Sequence, residues 1–496
     1  MKTCHALKSI PWAQFGWPAI FAIASIWPGI AWAAPFAIQG PGVKVADFRI
    51  SVFATNLSYP LGMVQLSDGS LLVAVSQGSS FWSSTGQLIR LTDTNHDGIA
   101  DAPGAVLYSG LPGGQTSLRK FGDLFFVTGQ GAGKPISILR AGPSPGAPLT
   151  FVGSINVNYP SGYWEHPHSA LNLRPTPGEP RGCDLFFQLG SDQNFATTTR
   201  TASISSAQIA GASGALLGDS IYMLTIIDYG TNVFATNLTR IAKGLRNSAG
   251  FAFHPVTGDL YFEDNGIDGL VNANEPLSAD ELNWIPAAQI GIGTVPDFGF
   301  PTNYTAYRSG TLVGGAGVQP LIAFQPLPDP FTGSENEGPN DIAFAPPAFP
   351  EGLNDGIFLG FHGKFDLGGI SNEENPLVYV DLVKKSYFQF IGNAEPNIGH
   401  LDGLLSTADS LFLADLTSTG STGNGGNTGV IYQIKSLVTR LSFHFENDAV
   451  ELSWPAGVLQ QSYDLAGPWA DMPSATSPYS VTFDLNHPQT FYRTRN

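Results

Sequence analysis

Short apolar runs separated by turns that contain Gly, Asp or Asn recur along the chain. One stretch is almost literally repeated, since residues 52–57 and residues 233–238 both read VFATNL. Each copy is followed by a Gly-bearing apolar strand, a turn and a second apolar strand, with turns at residues 67–69 and 256–258. Similarity at intervals along a sequence is typical of repeat arrays and propellers. The pattern therefore predicts a recurring strand–turn–strand hairpin.

Four weaker copies of this hairpin occur at residues 115–127, 168–187, 339–359 and 400–413. Copies roughly 55 to 90 residues apart fit a blade of four strands plus loops, which predicts an all-β, six-bladed β-propeller. A pair of β-sandwiches is the alternative, but it predicts no repeated turn. Because a propeller needs its last strand to pair with its first blade, we expect residues 429–434 to close the ring.

The pattern changes at about residue 438. Leu441, Phe443 and Phe445 alternate with polar residues, as half-buried strands do. We therefore predict two folded domains, a propeller over residues 34–437 and a small β-sandwich-like module over residues 438–496.

Residues 1–33 have the features of an export signal. Lys2 and Lys8 precede an apolar run, which ends in the small-x-small pattern of Ala31, Trp32 and Ala33. An uncleaved membrane anchor is the alternative, although two prolines interrupt the run. We expect cleavage near Ala33, a secreted or periplasmic protein, and no membrane span in the mature chain.

Composition and net charge argue against some fold classes and some binding partners. The chain has 58 Gly and 37 Pro among 496 residues, and its formal net charge is −17. This abundance of turn-forming residues argues against a helical bundle. The acidity argues against nucleic acid as a partner and against binding to anionic membranes.

Polar residues stand at related positions of five hairpins. The ring symmetry of a propeller would bring them towards one axis, so together they predict a functional site. They are Gln115, His166 with His168, Arg246 with Asn247, Lys364, and His400 with Asp402.

Several segments resemble the glucose/sorbosone dehydrogenases, which are six-bladed quinoproteins that bind pyrroloquinoline quinone (PQQ) and calcium. The resemblance covers about residues 45–437, and its most characteristic stretch is GLRNSAG at residues 244–250. Residues 254–261, 278–283, 298–301 and 429–432 also follow the family's order of segments. The resemblance implies oxidation of a sugar, or of a related alcohol or lactol, with transfer of electrons to an external acceptor.

The resemblance also implies roles for individual residues. His168 would be the general base, oriented by Asp192, while the backbone carbonyls of Gly266 and Ile267 would bind calcium. Arg246 would act in both catalysis and quinone binding. Relatives place arginines in the last blade, where this chain has His400 as the candidate contact and Asp402 beside it. The implied quinone contacts are Gln115, Arg246, Asn247, Lys364 and His400.

Residues 93–101 predict a second, separate calcium site. Its ligands would be Asp93, Asn95, Asp97, the carbonyl of Ile99, and Asp101, as at the start of an EF-hand loop. Position 12 is Gly104 instead of the usual Glu, and an Asx-rich turn is the alternative.

Two other functions fit the same fold. His166, His168 and Asp402 would be ligands of a divalent metal in a lactonase-like or esterase-like hydrolase. The second alternative is a function without catalysis, in which the propeller serves as a binding domain.

Overall fold

The computed structural model describes most of the chain after residue 33. The export signal predicted for residues 1–33 and the candidate Lys364 lie outside the described residues. The described ranges are residues 34–83, 85–271, 275–363, 376–395, 398, 400–417, 422–438, 441–446, 449–454, 457–481 and 489–495.

The protein is all-β, as predicted. Within the described ranges there are 34 strands and no α-helix, and the helical elements are two 3-10 turns, Val45–Asp47 and Ala287–Gln289. None of the helical segments in these ranges is long and apolar enough to cross a bilayer. Strand β1 (Phe48–Leu57) follows the first of the two turns.

Six antiparallel sheets in the described part of the chain have four or more strands, and we number them 1 to 6 along the sequence. Sheet 1 contains β2 (Met63–Gln65), β3 (Leu71–Ser76), β4 (Gly86–Thr92) and β5 (Asp101–Leu111). Sheet 2 contains β6 (Gln115–Phe121), β7 (Leu124–Gly129), β8 (Ile136–Arg140) and β9 (Thr150–Asn158), and it is extended by β12 (Thr201–Ser205) and β13 (Gly214–Leu217). Sheet 3 contains β10 (Leu171–Pro175), β11 (Gly182–Leu189), β14 (Ser220–Asp228) and β15 (Val233–Lys243).

The other three large sheets follow the same order. Sheet 4 contains β16 (Phe251–Phe253), β17 (Leu260–Asp264), β18 (Glu281–Ile285) and β21 (Ile322–Ala323). Sheet 5 contains β22 (Pro339–Phe344), β23 (Ile357–Phe361), β24 (Leu377–Asp381) and β25 (Ser386–Ile391). Sheet 6 contains β26 (Leu401–Ser406), β27 (Ser410–Asp415) and β28 (Gly429–Ser436), with β1 as its fourth strand. A separate hairpin is formed by β19 (Tyr304–Thr305) and β20 (Leu312–Val313).

The first strands of the six sheets contact one another in a closed succession. Strand β2 contacts β6, which contacts β10, and the series continues through β16, β22 and β26 back to β2. The second strand of each sheet is buried along its whole length, which explains why each of these strands contains a run of consecutive apolar residues.

Apolar side chains fill each junction between consecutive sheets. Phe125 packs between sheets 1 and 2, Phe126 between sheets 2 and 3, and Phe186 between sheets 3 and 4. Tyr261 and Phe358 occupy the next two junctions, and the series ends with a cluster that joins sheets 6 and 1. The burial of these side chains stabilises the packing of consecutive sheets against one another.

Strand β1 completes sheet 6. It pairs antiparallel with β28, with Phe48 opposite Ser436 and Ile50 opposite Ile434. Strand β28 contains residues 429–434, the segment expected to close the ring. The repeated VFATNL stretches lie in β1 and β15, and Asn56 and Asn237 have φ of 59° and 54° there. Asn is one of the few residues other than Gly that adopts this conformation readily.

Residues after 438 form two three-stranded sheets. One contains β29 (Ser442–Glu446), β30 (Ala449–Ser453) and β33 (Tyr479–Val481). The other contains β31 (Val458–Ser462), β32 (Ala470–Asp471) and β34 (Phe491–Arg495). Leu452, Trp454 and Leu459 are buried in their own apolar cluster.

Candidate functional site

The candidate residues lie where the first strands of the sheets begin. Gln115 is the first residue of β6, His168 precedes β10, Arg246 and Asn247 precede β16, and His400 precedes β26. Four of the five places singled out in the sequence therefore lie at equivalent ends of strands that belong to this closed succession.

Hydrogen bonds join these strand ends from sheet to sheet. The Thr116 hydroxyl donates to the Ser169 carbonyl at 2.5 Å, and the Ser191 amide donates to the Arg246 carbonyl at 2.8 Å. Between sheets 4 and 5, the Asn265 side chain donates to the Pro339 carbonyl at 2.8 Å. These bonds fix the candidate residues relative to one another.

The imidazole of His168 is enclosed on all sides. Its Nε2–H donates to the Lys134 carbonyl at 2.7 Å, and its Nδ1 accepts from the Tyr159 hydroxyl at 2.6 Å. The same hydroxyl accepts from the His168 amide at 2.9 Å. Burial lowers the pKa of His168 to about 4, so the ring is neutral at neutral pH.

Asp192 does not orient His168, contrary to what the resemblance implied. Its carboxylate pairs with Arg200 at 2.5 Å, and Tyr159 holds the His168 nitrogen that a carboxylate was expected to hold. The physical reason is that the guanidinium is the stronger partner for Asp192, while a hydroxyl satisfies a buried neutral imidazole.

The His166 ring is also buried and hydrogen-bonded within the protein. Its Nδ1–H donates to the Ser191 hydroxyl oxygen at 2.8 Å, and this hydroxyl donates to the Gln193 carbonyl. Burial and the nearby Arg246 guanidinium lower the pKa of His166 well below its ordinary value.

The segment that carries the family resemblance is anchored by Asp264. This carboxylate accepts from the amides of Arg246 at 3.0 Å and Asn247 at 2.8 Å, and from the Ser248 hydroxyl at 3.1 Å. Burial raises the pKa of Asp264 to about 7. Asp264 therefore holds the turn through backbone amides, and the Arg246 guanidinium is able to bond to other groups.

The Arg246 guanidinium lies among acids and amides. It donates to the Asn194 side chain at 2.9 Å and to the Asp268 carboxylate at 2.5 Å. The side chain is 5% exposed, whereas that of Asp268 is 64% exposed. Asn247 donates from its side chain to Asn265 at 2.7 Å.

Buried carboxyl groups surround this turn. Glu281 lies opposite Asp264 in the pairing of β17 with β18, and burial together with Asp264 raises its pKa to about 8. Burial raises the pKa of Asp280 to about 6 and that of Glu263 well above its ordinary value. The region is thus acidic, with Arg246 as its central cation.

A cavity of about 20 Å³ lies beside Arg246. Asp264, Glu281 and Gly266 contribute to its wall, together with Phe298. The volume suits one water molecule or one small ion. The carbonyl of Ile267, a proposed calcium ligand, accepts instead from the amides of Leu277 at 2.8 Å and Ser278 at 3.3 Å.

A group that the sequence analysis did not find lies at the junction of sheets 5 and 6. The Nδ1 of His362 is 2.5 Å from the Asp402 carboxylate, and the His362 ring stacks on His400 with centroids 4.0 Å apart. The position of His362, two residues before Lys364 at the end of the fifth hairpin, is the one sequence signal that marks it.

The hydrolase alternative requires His166, His168 and Asp402 to lie together around one metal ion. Asp402 pairs with His362 instead of joining His166 and His168. Within the described ranges, no group of three or more His, Cys, Asp or Glu side chains is arranged to hold a metal ion. The metal set proposed for a hydrolase is therefore not assembled in the described part of the chain.

The loop of residues 93–101 is built from side chain to backbone hydrogen bonds. Asp93 accepts from the amides of Asp97 at 3.1 Å and Gly98 at 2.9 Å, and Asp97 accepts from the amide of Ile99 at 2.9 Å. Asp101 accepts from Thr94. These are the bonds of the Asx-rich turn, and the calcium site over Asp93, Asn95, Asp97, Ile99 and Asp101 stays a prediction.

Comparison with known proteins gives distant similarities. No family model matches the chain. An uncharacterized protein of Borreliella burgdorferi is 43% identical over 61 residues, which is 12% of this chain and 14% of the relative's length. The chain therefore spans only a small part of the curated relative that it matches.

The structure is similar to solved structures of a carbohydrate-active enzyme and of two dehydrogenases. A calcium structure of a Trichoderma reesei family AA12 enzyme has a TM-score of 0.49 at 16% identity, covering 81% of this chain and 98% of that one. The PQQ domain of Coprinopsis cinerea pyranose dehydrogenase scores 0.48 at 16% identity, covering 81% and 99%. A PQQ-bound aldose sugar dehydrogenase of Streptomyces coelicolor scores 0.47 at 16% identity, covering 80% and 99%.

Proposed function

We propose that the protein is an exported oxidoreductase that oxidises a sugar, or a related alcohol or lactol, and passes the electrons to an external acceptor. The observation that carries the proposal is the turn of Arg246 and Asn247. Asp264 holds this turn at the beginning of β16, beside the cavity and in hydrogen-bond connection with the neighbouring sheets. This is the segment in which the sequence most resembles the glucose/sorbosone dehydrogenases.

The proposal includes a six-bladed propeller over residues 34–437, a separate module over residues 438–496 and a cleaved export signal. The closed succession of first strands and the pairing of β1 with β28 support the ring. N-terminal sequencing of the secreted protein should find a chain that starts near Ala34. A chain starting at Met1 would contradict cleavage.

PQQ is the cofactor that the resemblance implies, and two groups at the strand ends fit it. Gln115 is 1% exposed, and its Oε1 has no hydrogen-bond partner in the described part of the chain, so it offers a position that a ligand would fill. Arg246 supplies a guanidinium for a carboxylate. We propose Asn247, Lys364 and His400 as further contacts, and PQQ, when bound, would supply the acceptor for two electrons.

The cavity beside Arg246 fits a small hard cation. Its wall includes the carboxyl-bearing residues Asp264 and Glu281 and the backbone of Gly266, and oxygen ligands are those that calcium prefers. We place the proposed calcium site there. Because the Ile267 carbonyl already accepts two amides, binding through it would require these hydrogen bonds to be replaced.

The experiment is reconstitution of the mature protein with PQQ and calcium, followed by dye reduction with a panel of sugars. Mass spectrometry of the natively purified protein detects retained PQQ. We expect Arg246→Gln to weaken PQQ binding roughly 10- to 150-fold, because a charge-assisted hydrogen bond contributes about 1.5–3 kcal/mol.

Arg240→Gln is the matched control, since Arg240 donates to Ser220 in the outer part of sheet 3. Absence of bound PQQ and of any sugar-dependent rate would exclude the proposed function. It would favour the non-catalytic propeller instead.

A further inference from the structure

The loop between β17 and β18 carries an acidic side chain that covers the guanidinium of Arg246. The Asp268 carboxylate accepts from Nη2 of Arg246 at 2.5 Å. The Arg246 side chain is 5% exposed, whereas that of Asp268 is 64% exposed. The buried cation thus has an exposed partner, and an anion that approaches from solvent has to compete with Asp268 for this donor.

Asn194 holds both members of this ion pair by other atoms. Its side-chain oxygen accepts from the Asp268 amide at 2.9 Å and from Nη2 of Arg246 at 2.9 Å, and its backbone carbonyl accepts from Nε of Arg246 at 3.2 Å. Its side-chain amide donates to the Asp268 carbonyl at 3.3 Å. Among the described residues, Arg246 is the one group that bonds to the Asp268 carboxylate. The carboxylate is therefore able to turn away by rotation of its own side chain, while the Asp268 backbone and the guanidinium stay in place.

A second acid near Arg246 makes the local charge unfavourable for an anion. Burial raises the pKa of Glu165, the attraction of Arg246 opposes this rise, and the charge of Asp268 adds to it. Among the described residues, no hydrogen bond joins Glu165 to the guanidinium. Asp268 is therefore the direct competitor of an anion, and its release into water costs little because its side chain is already mostly exposed.

We propose that Asp268 is the resident counter-ion of Arg246, which a carboxylate of the cofactor displaces when it binds. The inference rests on the proposed function and names the residue that limits the affinity of its cofactor site. In the empty protein Asp268 neutralises the guanidinium. In the loaded protein a ligand carboxylate takes its place, and the Asp268 side chain turns into solvent. No covalent bond changes, so one charge-assisted hydrogen bond replaces another.

The test compares the wild type with Asp268→Asn, which removes the charge and keeps the shape of the side chain. Titration calorimetry with PQQ at saturating calcium measures the affinity, and urea denaturation measures the stability of the empty and the loaded protein. We expect PQQ to bind Asp268→Asn about 5- to 10-fold more tightly, because an exposed competitor is lost. The empty variant should unfold at a lower urea concentration, since its buried guanidinium has lost a carboxylate. At saturating PQQ the two proteins should unfold at the same concentration, because the tighter binding offsets the lost ion pair.

Glu165→Gln is the matched control, because it removes the same charge close to Arg246 without removing a hydrogen bond to the guanidinium. We expect it to change the PQQ affinity by less than about 3-fold, since salt screens charges that are not in contact. Asp268→Asn combined with Arg246→Gln is the second control. Without the guanidinium Asp268 has nothing to compete for, so the double variant should bind PQQ as weakly as Arg246→Gln alone.

The inference is overturned if the wild type binds PQQ and Asp268→Asn binds it equally tightly or more weakly, and the proposed function then stands. A gain of equal size in Glu165→Gln, or a gain that persists without Arg246, would also overturn it, since either would show a general effect of charge. Weaker calcium binding by Asp268→Asn would identify Asp268 as a calcium ligand and overturn its role as a competitor. If the wild type neither binds PQQ nor oxidises a sugar, the proposed function fails and the inference falls with it.

Discussion

His168 precedes the first strand of sheet 3 and His362 follows the second strand of sheet 5, and the two histidines have very different partners. The first packs against Tyr159 and bonds to a hydroxyl and a backbone carbonyl, which are neutral partners. The second bonds to a buried carboxylate and stacks on another imidazole. Burial among neutral groups lowers the pKa of His168 and holds its ring neutral. The position of a histidine in the repeat therefore does not define its environment, which depends on the partners of its ring.

Among substitutions that test the difference between the two histidines, we expect Tyr159→Phe to change the free energy of unfolding most. The change leaves the ring stack with His168 in place but removes a hydroxyl that both donates to Nδ1 and accepts from the His168 amide. Each buried group left without a partner costs about 1–3 kcal/mol, so we expect a loss of about 2–4 kcal/mol in the free energy of unfolding. Urea denaturation measures it.

Tyr163→Phe is the matched control, since Tyr163 is 80% exposed and the change should shift stability by less than about 0.5 kcal/mol. Equal stability of Tyr159→Phe and Tyr163→Phe would contradict the structural role given to His168.

The second largest effect concerns His168, whose titration makes the stability of the protein depend on pH. Its pKa is about 4 in the folded protein and 6.5 when unperturbed. Between these values the unfolded chain takes up a proton that the folded chain does not, so stability falls as the pH drops from about 6.5 towards 4. We expect a loss of about 2 kcal/mol between pH 6.5 and pH 4.5 from this group.

Comparison of wild type with His168→Gln isolates that loss. The raised pKa values of Asp280 and Glu281 change stability in the opposite direction over this range, and they are shared by both proteins. Parallel pH curves for the two proteins would show that His168 titrates normally.

The smallest effect is expected from Lys134→Ala. The residue holds His168 through its backbone carbonyl, which alanine retains, while its Nζ donates to the Gly113 carbonyl at 2.5 Å. We expect a change below about 1 kcal/mol in unfolding free energy and none in the titration of His168. A loss as large as that of Tyr159→Phe would mean that the side chain supports the ring as well.

Much of the fold was predictable because the second strand of each sheet is buried on both faces. Runs such as Leu124, Phe125 and Phe126 are therefore continuous, and every hairpin expected from the repeat is the first pair of strands of a sheet. The extension of sheet 2 was not predictable. Strand β12 pairs with β9 although β10 and β11, which belong to sheet 3, lie between them in the sequence, and nothing in the sequence of β12 specifies that distant partner.

The candidate site was predictable in position and less so in chemistry. The repeat correctly indicated where Gln115, His168 and Arg246 lie along their hairpins. The partners of the rings could not be deduced, since Tyr159 stands in a segment without repeat character and Arg200 takes the carboxylate of Asp192. His362 was missed because a single histidine after an apolar strand has no motif, and its partner Asp402 is 40 residues away in the sequence.

The pairing of β1 with β28 has a consequence for biogenesis. Sheet 6 stays incomplete until almost the whole of the region up to Ser436 has been synthesised, because β1 lies near the start of that region and its neighbour β28 lies at the end. Contacts of such long sequence separation form late and slowly. A polypeptide truncated before residue 429 would leave β1 without its neighbour and would expose backbone donors and acceptors at two open edges. Such chains are expected to associate with one another.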